Sequence, residues 1–270
     1  MTKIVSVHSF RGGTGKSNLT ANLAATIARQ GQRVGIVDTD IQSPGIHVIF
    51  GLDEEKINRS LNDYLWDRCA IKDAAYDVSN ALKTEQDETV PNGSLYLIPS
   101  SIKAGEIARV LREGYDVGRL NDGFEELIHC LNLDYLLIDT HPGLNEETLL
   151  SIAISDILVV ILRPDRQDFQ GTAVTVDVAR KLEVPKMLLV VNKVLPTFDF
   201  DALRSQMETI YNTSVAGIVP LFEEMVQLAS SDIFCLRYSD HPFSQTVKEI
   251  ARQIVGERVE LGIPIGGDRL

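Results

Sequence analysis

The stretch from Ser9 to Asn18, SFRGGTGKSN, carries the clearest chemical signal in this sequence. Its end, Gly15-Lys16-Ser17, matches the G-x-x-x-x-G-K-[ST] phosphate-binding loop. Glycines allow a tight turn whose backbone N–H groups point at a phosphate, and the helix that follows adds its positive end. The lysine suits the β and γ phosphates, and the serine hydroxyl suits Mg²⁺. We therefore predict a Mg-nucleotide site rather than a glycine-rich turn that binds nothing.

Two residues of this loop need an explanation. Phe10 stands where the pattern has glycine, and Arg11 stands where the pattern fixes no residue. The arginine raises the question of what else the loop contacts. The residues predicted to contact the nucleotide along this segment are Arg11, Gly12, Gly13, Thr14, Gly15, Lys16, Ser17 and Asn18.

Three aspartates extend the predicted site. Asp38 ends the strand-like segment RVGIVD, Asp40 follows it, and Asp139 ends the segment DYLLID. Ligands bind along the carboxyl edge of open α/β sheets, and an apolar strand that ends in aspartate is one arrangement that holds Mg²⁺. Each aspartate taken alone could instead cap the next helix. Together, around one loop, they indicate a metal-bound nucleotide.

The alternation of segments predicts the fold class. Short apolar runs alternate with segments of helical length, such as Leu19 to Arg29, Phe169 to Leu182 and Asp199 to Tyr211. This rhythm is typical of a doubly wound α/β fold with a mostly parallel sheet. The predicted strands are KIVSVHS, RVGIVD, LYLIPS, DYLLID, DILVVIL, KMLLVVN and SVAGIVP. We expect a surface loop at KTEQDETVPNGS and, with no dividing linker, a single domain over residues 1–270.

Composition limits the cellular compartment and the binding partners that we expect for this protein. The 270 residues carry a net charge of −12, which argues against a surface built for nucleic acid. Cys69, Cys130 and Cys235 are far apart in sequence and form no C-x-x-C pair, so neither a disulfide framework nor a zinc or iron–sulfur site is indicated. The first segment lacks signal-peptide form, and no run approaches about 18 apolar residues. We expect a cytoplasmic protein.

These motifs together resemble those of the MinD/ParA ATPases, whose deviant Walker A motif reads K-G-G-x-G-K-[ST]. The segment here is RGGTGKS, with Arg11 in place of the signature lysine. The likeness continues through VDTDIQSPG, LDYLLIDTHPGL, VVNKV and GIVP, and it covers nearly the whole chain. The stretch SLNDYLWDRCAIKDA followed by LYLIPSS looks more like the MinD branch than the short plasmid ParA branch.

The resemblance implies a mechanism in which two subunits sandwich two ATP molecules and the dimer docks on a surface or a cargo adaptor. It implies that Asp40 positions the attacking water, and that Lys16 and Arg11 complete the catalytic set. The metal-binding set that it implies is Ser17, Asp38 and Asp139. Arg11 would reach the partner's phosphates, since a guanidinium can bind phosphate through two parallel hydrogen bonds, or it could merely flank the loop.

Three further positions follow from the resemblance. Asn192 and Pro220 match positions that line the adenine pocket. His141 replaces the first proline of the switch II pair. It could simply pack and hydrogen-bond to the backbone, or it could make this loop sensitive to pH, because an ordinary imidazole titrates near pH ~6.5.

Neither a membrane nor a DNA surface is favoured. Phe243, Val247, Ile250 and Ile254 recur at helical spacing, but the polar side of residues 244–262 carries as many acidic as basic residues. We therefore predict a helix packed on the domain, followed by a tail, IPIGGDRL, too short and neutral to anchor alone. The densest basic stretch, from Arg180 to Arg204 with Lys186 and Lys193 between them, is thin for nonspecific DNA binding.

Two functions remain open at this point. One is a positioning or partitioning ATPase in which slow, partner-stimulated hydrolysis times the release of an ATP-bound homodimer from its target. The other is a nucleotide-gated scaffold that dimerises on ATP, hydrolyses little and recruits a protein partner. The lack of a C-x-x-C pair argues against a metal-cluster carrier, and the lack of a tyrosine-rich tail argues against a tyrosine kinase.

Overall fold

The computed structural model describes residues 1–84 and 92–256, which form one sheet with helices on both faces. The strands are β1 (Lys3–His8), β2 (Arg33–Asp38), β3 (Tyr76–Asp77), β4 (Ser94–Ile98), β5 (Tyr135–Asp139), β6 (Ile157–Leu162), β7 (Lys186–Val194) and β8 (Val215–Pro220). The helices are α1 (Lys16–Ala28), α2 (Ile46–Ile49), α3 (Leu61–Leu65), α4 (Ala104–Glu113), α5 (Val117–Cys130), α6 (Glu146–Ala153), α7 (Arg166–Lys181), α8 (Phe200–Tyr211), α9 (Glu223–Leu228), α10 (Phe234–Arg237) and α11 (Pro242–Val255). The short segments Ile71–Ala74 and Ser79–Leu82 are 3₁₀ turns.

The sheet has the order β3-β4-β2-β5-β1-β6-β7-β8, and every pairing except β3 with β4 is parallel. The predicted doubly wound, mostly parallel fold is confirmed. β5 and β6 are buried at every position, as strands covered by helices on both faces must be. Because the strands run parallel, the loops after β1, β2, β5, β6 and β7 meet at one edge of the sheet.

α11 is the outer helix beside β8 and α1. The four apolar residues that recur at helical spacing, Phe243, Val247, Ile250 and Ile254, are all buried in the core shared with those elements. The prediction that this helix packs on the domain is therefore right for Pro242–Val255. The predicted tail and most of the predicted loop at KTEQDETVPNGS lie outside the described residues, so a single domain over the full 1–270 stays a prediction.

Within the described ranges, no helix is both long and apolar enough to cross a membrane.

Helix α7 explains why Phe10 stands where the common phosphate-loop pattern has glycine. A Cβ added to Gly171 in α7 would lie 2.2 Å from the Phe10 ring and 2.8 Å from its Cβ. The aromatic side chain therefore occupies the space that a larger residue at position 171 would need. This contact fixes the start of the loop against the helix that follows β6.

We predict that Gly171→Ala lowers the free energy of unfolding by about 1–3 kcal/mol, because the whole Phe10 side chain must move to admit the methyl group. Gly105 in α4 is the matched control, since a Cβ there meets no atom within 4 Å. Gly105→Ala should be neutral or stabilise by up to about 1 kcal/mol. Urea unfolding of both variants tests this, and equal effects would show that Phe10 relocates freely.

Candidate nucleotide site

The glycine loop joins the end of the central strand β1 to the start of α1. Lys16 is the first residue of that helix and is only 7% exposed. Gly15, the N-cap, has φ +100°, and a Cβ there would lie 2.6 Å from the Asn192 amide nitrogen. Only glycine fits this position. The strand, loop and helix context that the phosphate-binding motif requires is therefore present.

A bulge at the end of β7 fastens the loop from the other side. The β7–β8 register shifts between Asn192 and Val194, and Lys193 has φ +58°. Successive strand side chains normally point to opposite faces, but a bulge re-aims them. Here the Asn192 amide donates to the Thr14 carbonyl at 2.7 Å, and Lys193 Nζ donates to the Gly13 carbonyl at 2.8 Å. Both side chains hold the loop.

A cavity of about 190 Å³ opens beside the loop. The predicted pair Asn192 and Pro220 both line it, together with Gly15 and Asn18 of the loop and helix α1. The rest of its wall is mainly apolar and comes from β6, β7, β8, α9 and α11; the lining includes Ile161, Val190, Val219, Phe222, Met225 and Phe243. A nucleotide base is a flat, largely apolar ring. An apolar cavity next to a phosphate-binding loop is the kind of site that such a base requires.

Two carboxylates lie side by side on the other flank of the loop. Asp38 and Asp139 are register partners at the ends of β2 and β5, and both are buried. Burial raises the pKa of Asp38 well above its usual range, and the neighbouring Asp139 and then Asp40 add to that shift. Burial also raises the pKa of Asp139 to about 6, against the opposing effect of Lys16.

The same pair leaves hydrogen-bonding capacity unused. Within the described chain, Asp38 Oδ2 and Asp139 Oδ2 are buried without a hydrogen-bond partner. Their other oxygens accept from the Asp40 backbone N–H at 3.0 Å and from Thr20 Oγ1 at 3.2 Å. Buried carboxylates without partners are costly, and hard oxygen ligands suit Mg²⁺. The residues present therefore fit the predicted metal, with Ser17 on the facing turn of α1.

Asp40 lies in the loop after β2, beside the switch II loop that follows β5. Its Oδ1 accepts from Ser43 N and Oγ at 3.2 and 3.0 Å and lies 3.8 Å from His141 Nε2. The switch II loop contacts the start of the glycine loop, because Gly143 N donates to the Ser9 carbonyl at 3.3 Å. The fold thus brings together the predicted residues from three separate loops.

Arg11 is held by side chains at the start of α7. Its guanidinium donates to Gln167 Oε1 and lies 3.7 Å from Asp168 and 3.9 Å from Asp165, at the start of α7. The side chain is 41% exposed. Asp168 is nearly buried and is also held by Arg163, through Nε at 3.0 Å. In the single chain, therefore, the arginine is tied to its own subunit at the rim of the site.

The predicted basic stretch is occupied by internal contacts. Arg180 donates to the Tyr211 carbonyl, Lys186 to Gln253, Arg204 to Val215, and Lys193 to the glycine loop. These side chains donate to backbone carbonyls of their own chain, which leaves fewer of their N–H donors to contact a phosphate backbone. The sequence offered no sign that Lys193 belongs to the site, because its role depends on the bulge in β7.

The cysteines do not form a site. Cys69 follows α3, Cys130 ends α5, and Cys235 lies buried in α10. In residues 1–84 and 92–256, no group of three or more His, Cys, Asp or Glu side chains could hold a metal ion by itself. Magnesium shared between protein and nucleotide phosphates needs fewer protein ligands, so this does not conflict with the Asp38 and Asp139 pair.

A central strand, a glycine loop, a lysine at the first helical position and acidic strand ends define a P-loop nucleotide-binding protein of the α/β class. Comparison with known proteins narrows this class. Residues 1–255 match the ParA family, described as "NUBPL iron-transfer P-loop NTPase". The chain belongs to the ParA family of P-loop NTPases, and the resemblance inferred from the sequence is confirmed at that level.

Individual relatives agree with this assignment. An uncharacterised ATP-binding protein of Methanocaldococcus jannaschii is 27% identical over 263 residues, 96% of this chain and 90% of the relative. The septum site-determining protein MinD of Helicobacter pylori is 26% identical over 96% of this chain and 93% of its own length. The structure of MinD from Pyrococcus horikoshii complexed with Mg-ADP has a TM-score of 0.75 at 20% identity, covering 94% and 96% of the two chains. The family match supports a nucleoside triphosphate as the ligand, and the unpartnered carboxylate oxygens of Asp38 and Asp139 fit Mg²⁺.

We predict that Lys16→Ala lowers ATP affinity at least about a hundredfold, because a charge-assisted contact to the phosphates is lost. Lys181→Ala removes the same charge from the exposed end of α7 and should leave affinity unchanged. Calorimetric titration with Mg·ATP measures both. Unchanged affinity in Lys16→Ala, with folding intact by urea denaturation, would place the phosphates elsewhere.

A second prediction concerns Asp139 in the nucleotide-free protein. Its pKa in the folded protein, about 6, lies above the ordinary value of 3.8, so the folded state binds a proton more tightly than the unfolded state. The stabilisation that comes from protonated Asp139 is complete below pH 3.8, the ordinary pKa of the group, and is lost as pH rises through about 6. Asp139→Asn should therefore gain stability relative to wild type over this interval. Urea unfolding in EDTA at several pH values measures the difference, and parallel pH curves would contradict it.

Proposed function

We propose that this protein is a Mg-ATP-dependent switch of the MinD/ParA type, which dimerises on ATP, hydrolyses it slowly and positions or partitions a cellular cargo. The observation that carries the proposal is the placement of Arg11. In this proposal the glycine loop, Lys16 and the start of α1 hold the chain's own phosphates without Arg11. A permanently charged, half-exposed guanidinium at the rim is suited to a phosphate outside its own subunit.

The residues take distinct roles in this proposal. Lys16 and the loop N–H groups hold the β and γ phosphates, and Asn192 and Pro220 border the base. Ser17, Asp38 and Asp139 would hold Mg²⁺, which when bound offsets the charge of the phosphate oxygens. Asp40 orients the attacking water. Arg11 reaches the phosphates of a second copy once its contacts with α7 are released.

The partner and the location remain part of the proposal. An ATP-bound homodimer would recruit a protein partner that accelerates hydrolysis, and the protein would be cytoplasmic or held at a membrane through that partner. The buried apolar face of α11 supports the absence of direct membrane binding by Pro242–Val255. The internally committed basic side chains of residues 180–204 support the absence of nonspecific DNA binding. The separation of the cysteines weighs against a cluster-carrier role.

Asp40→Ala should bind Mg·ATP with an affinity within about threefold of wild type and reduce hydrolysis by at least about a hundredfold, because the lesion lies in orienting water. Phosphate release and calorimetry provide the two measurements. Turnover at the wild-type rate would move the role to another residue, with Asp38 the next candidate. Negligible turnover in wild type with any added partner would favour the scaffold alternative.

Arg11→Ala should bind ATP as a monomer and fail to dimerise with a nonhydrolysable ATP analogue, because the phosphate contact across the dimer is lost. Arg11→Lys should keep partial dimerisation, since charge remains but two-point binding does not. Gln167→Ala is the matched control: it removes the hydrogen-bond acceptor of Arg11 in α7, keeps the arginine, and leaves its ion pairs with Asp165 and Asp168 in place. It should dimerise at least as tightly as wild type. Light scattering measures all three, and wild-type dimerisation by Arg11→Ala would leave Arg11 without a cross-dimer role.

A further inference from the structure

His141 occupies the space between the switch II loop and the loop that carries Asp40. It lies two residues beyond β5, and its Nε2 is 3.8 Å from Asp40 Oδ1. The two side chains are only 18% and 13% exposed. The His141 backbone is itself fixed, because its carbonyl accepts from Thr148 Oγ1 of α6 at 3.3 Å. The imidazole is thus a built part of the site rather than a surface side chain.

Hydrogen bonds at the start of α6 determine which imidazole nitrogen carries the proton in the neutral ring. Asn145 caps α6 by accepting from Thr148 N at 3.0 Å through Oδ1, which identifies its Nδ2 as the donor end. That Nδ2 donates to Glu147 Oε1 at 2.7 Å and faces His141 Nδ1 at 3.4 Å. His141 Nδ1 therefore accepts, and the neutral ring carries its proton on Nε2, the atom that faces Asp40.

The two oxygens of Asp40 have different surroundings. Oδ1 accepts both bonds from Ser43 and faces His141. In the described part of the chain, no hydrogen bond reaches Oδ2. A carboxylate held through one oxygen keeps the other available, in a fixed direction, for a water molecule.

We propose that His141 is a positioning residue for Asp40. When the two loops close on Mg·ATP, the imidazole Nε2–H donates to Asp40 Oδ1, directly or through one water, and Oδ2 is left to orient the attacking water. The distance of 3.8 Å is longer than a hydrogen bond, so the proposed direct contact requires the two loops to approach each other slightly. The chain of contacts from Asn145 through His141 to Asp40 links the start of α6 to the hydrolytic step. This inference rests on the proposed role of Asp40.

Three substitutions test the inference in the full chain by steady-state hydrolysis of Mg·ATP and by calorimetry. His141→Gln places an N–H donor close to the position of Nε2, whereas His141→Asn reaches only as far as Nδ1, and His141→Ala keeps neither. We expect about a tenfold fall in kcat for Ala and Asn, substantial recovery for Gln, and unchanged KM and ATP affinity in all three. Wild-type kcat in His141→Ala, a loss confined to ATP affinity, or no advantage of Gln over Asn would overturn the inference.

A measurement without turnover separates this inference from the proposed function. Imidazole ¹⁵N NMR of His141 should show the Nε2–H form in the nucleotide-free protein and a shifted, slowly exchanging Nε2–H proton with Mg·ADP and aluminium fluoride. Asp40→Ala should abolish that shift, while Asp38→Asn should alter it less. If wild type fails to hydrolyse ATP but shows this signature, the ATPase proposal fails and the His141 contact stands. If His141 shows no response to Asp40→Ala, the contact is wrong whatever the turnover.

Discussion

The site depends on two buried carboxylates that the parallel sheet forces together. Asp38 and Asp139 end neighbouring strands in register, so neither can move away from the other without breaking the ladder. Both are buried, and the charge of Lys16 opposes the rise that burial causes in the pKa of Asp139. A fold that places like charges in this position accepts a cost in stability, which a divalent cation and its nucleotide can offset. Binding of Mg²⁺ and nucleotide at this pair should therefore stabilise the fold.

The loops around this pair are held by contacts from distant parts of the chain. Phe10 rests in the space left by Gly171, and Asn192 and Lys193 hold the carbonyls of the glycine loop. The switch II loop is bound to the start of the same loop through the Gly143 N–H. These contacts would carry a movement of one loop to its neighbours, as the proposed switch requires.

Much of this arrangement could be predicted from the sequence, because local patterns determine it. Buried strands appear as continuous apolar runs, and the glycine loop and the acidic strand ends are contiguous motifs, so the parallel sheet and the residues Lys16, Asp38 and Asp139 were identifiable. The edge strand β3 could not be predicted, since two residues carry no periodic signal. Lys193 was misplaced in a basic surface stretch, because a bulge, which no local pattern marks, turns it toward the loop. The attachment of Arg11 to Gln167 likewise depends on how β6 places α7.

The bulge in β7 has a consequence for how nucleotide specificity could change. Under the proposed function, adjacent residues would support different parts of one ligand. Asn192 lines the apolar cavity while bonded to Thr14, and Lys193, with a left-handed backbone, donates through Nζ to the Gly13 carbonyl. Base preference and phosphate affinity would then be coupled in a single dipeptide. A substitution that adapts the cavity to another base would alter the loop as well, so changes at the two ends of the ligand would not add independently. A change of preference to a different nucleotide would need compensating substitutions in the glycine loop.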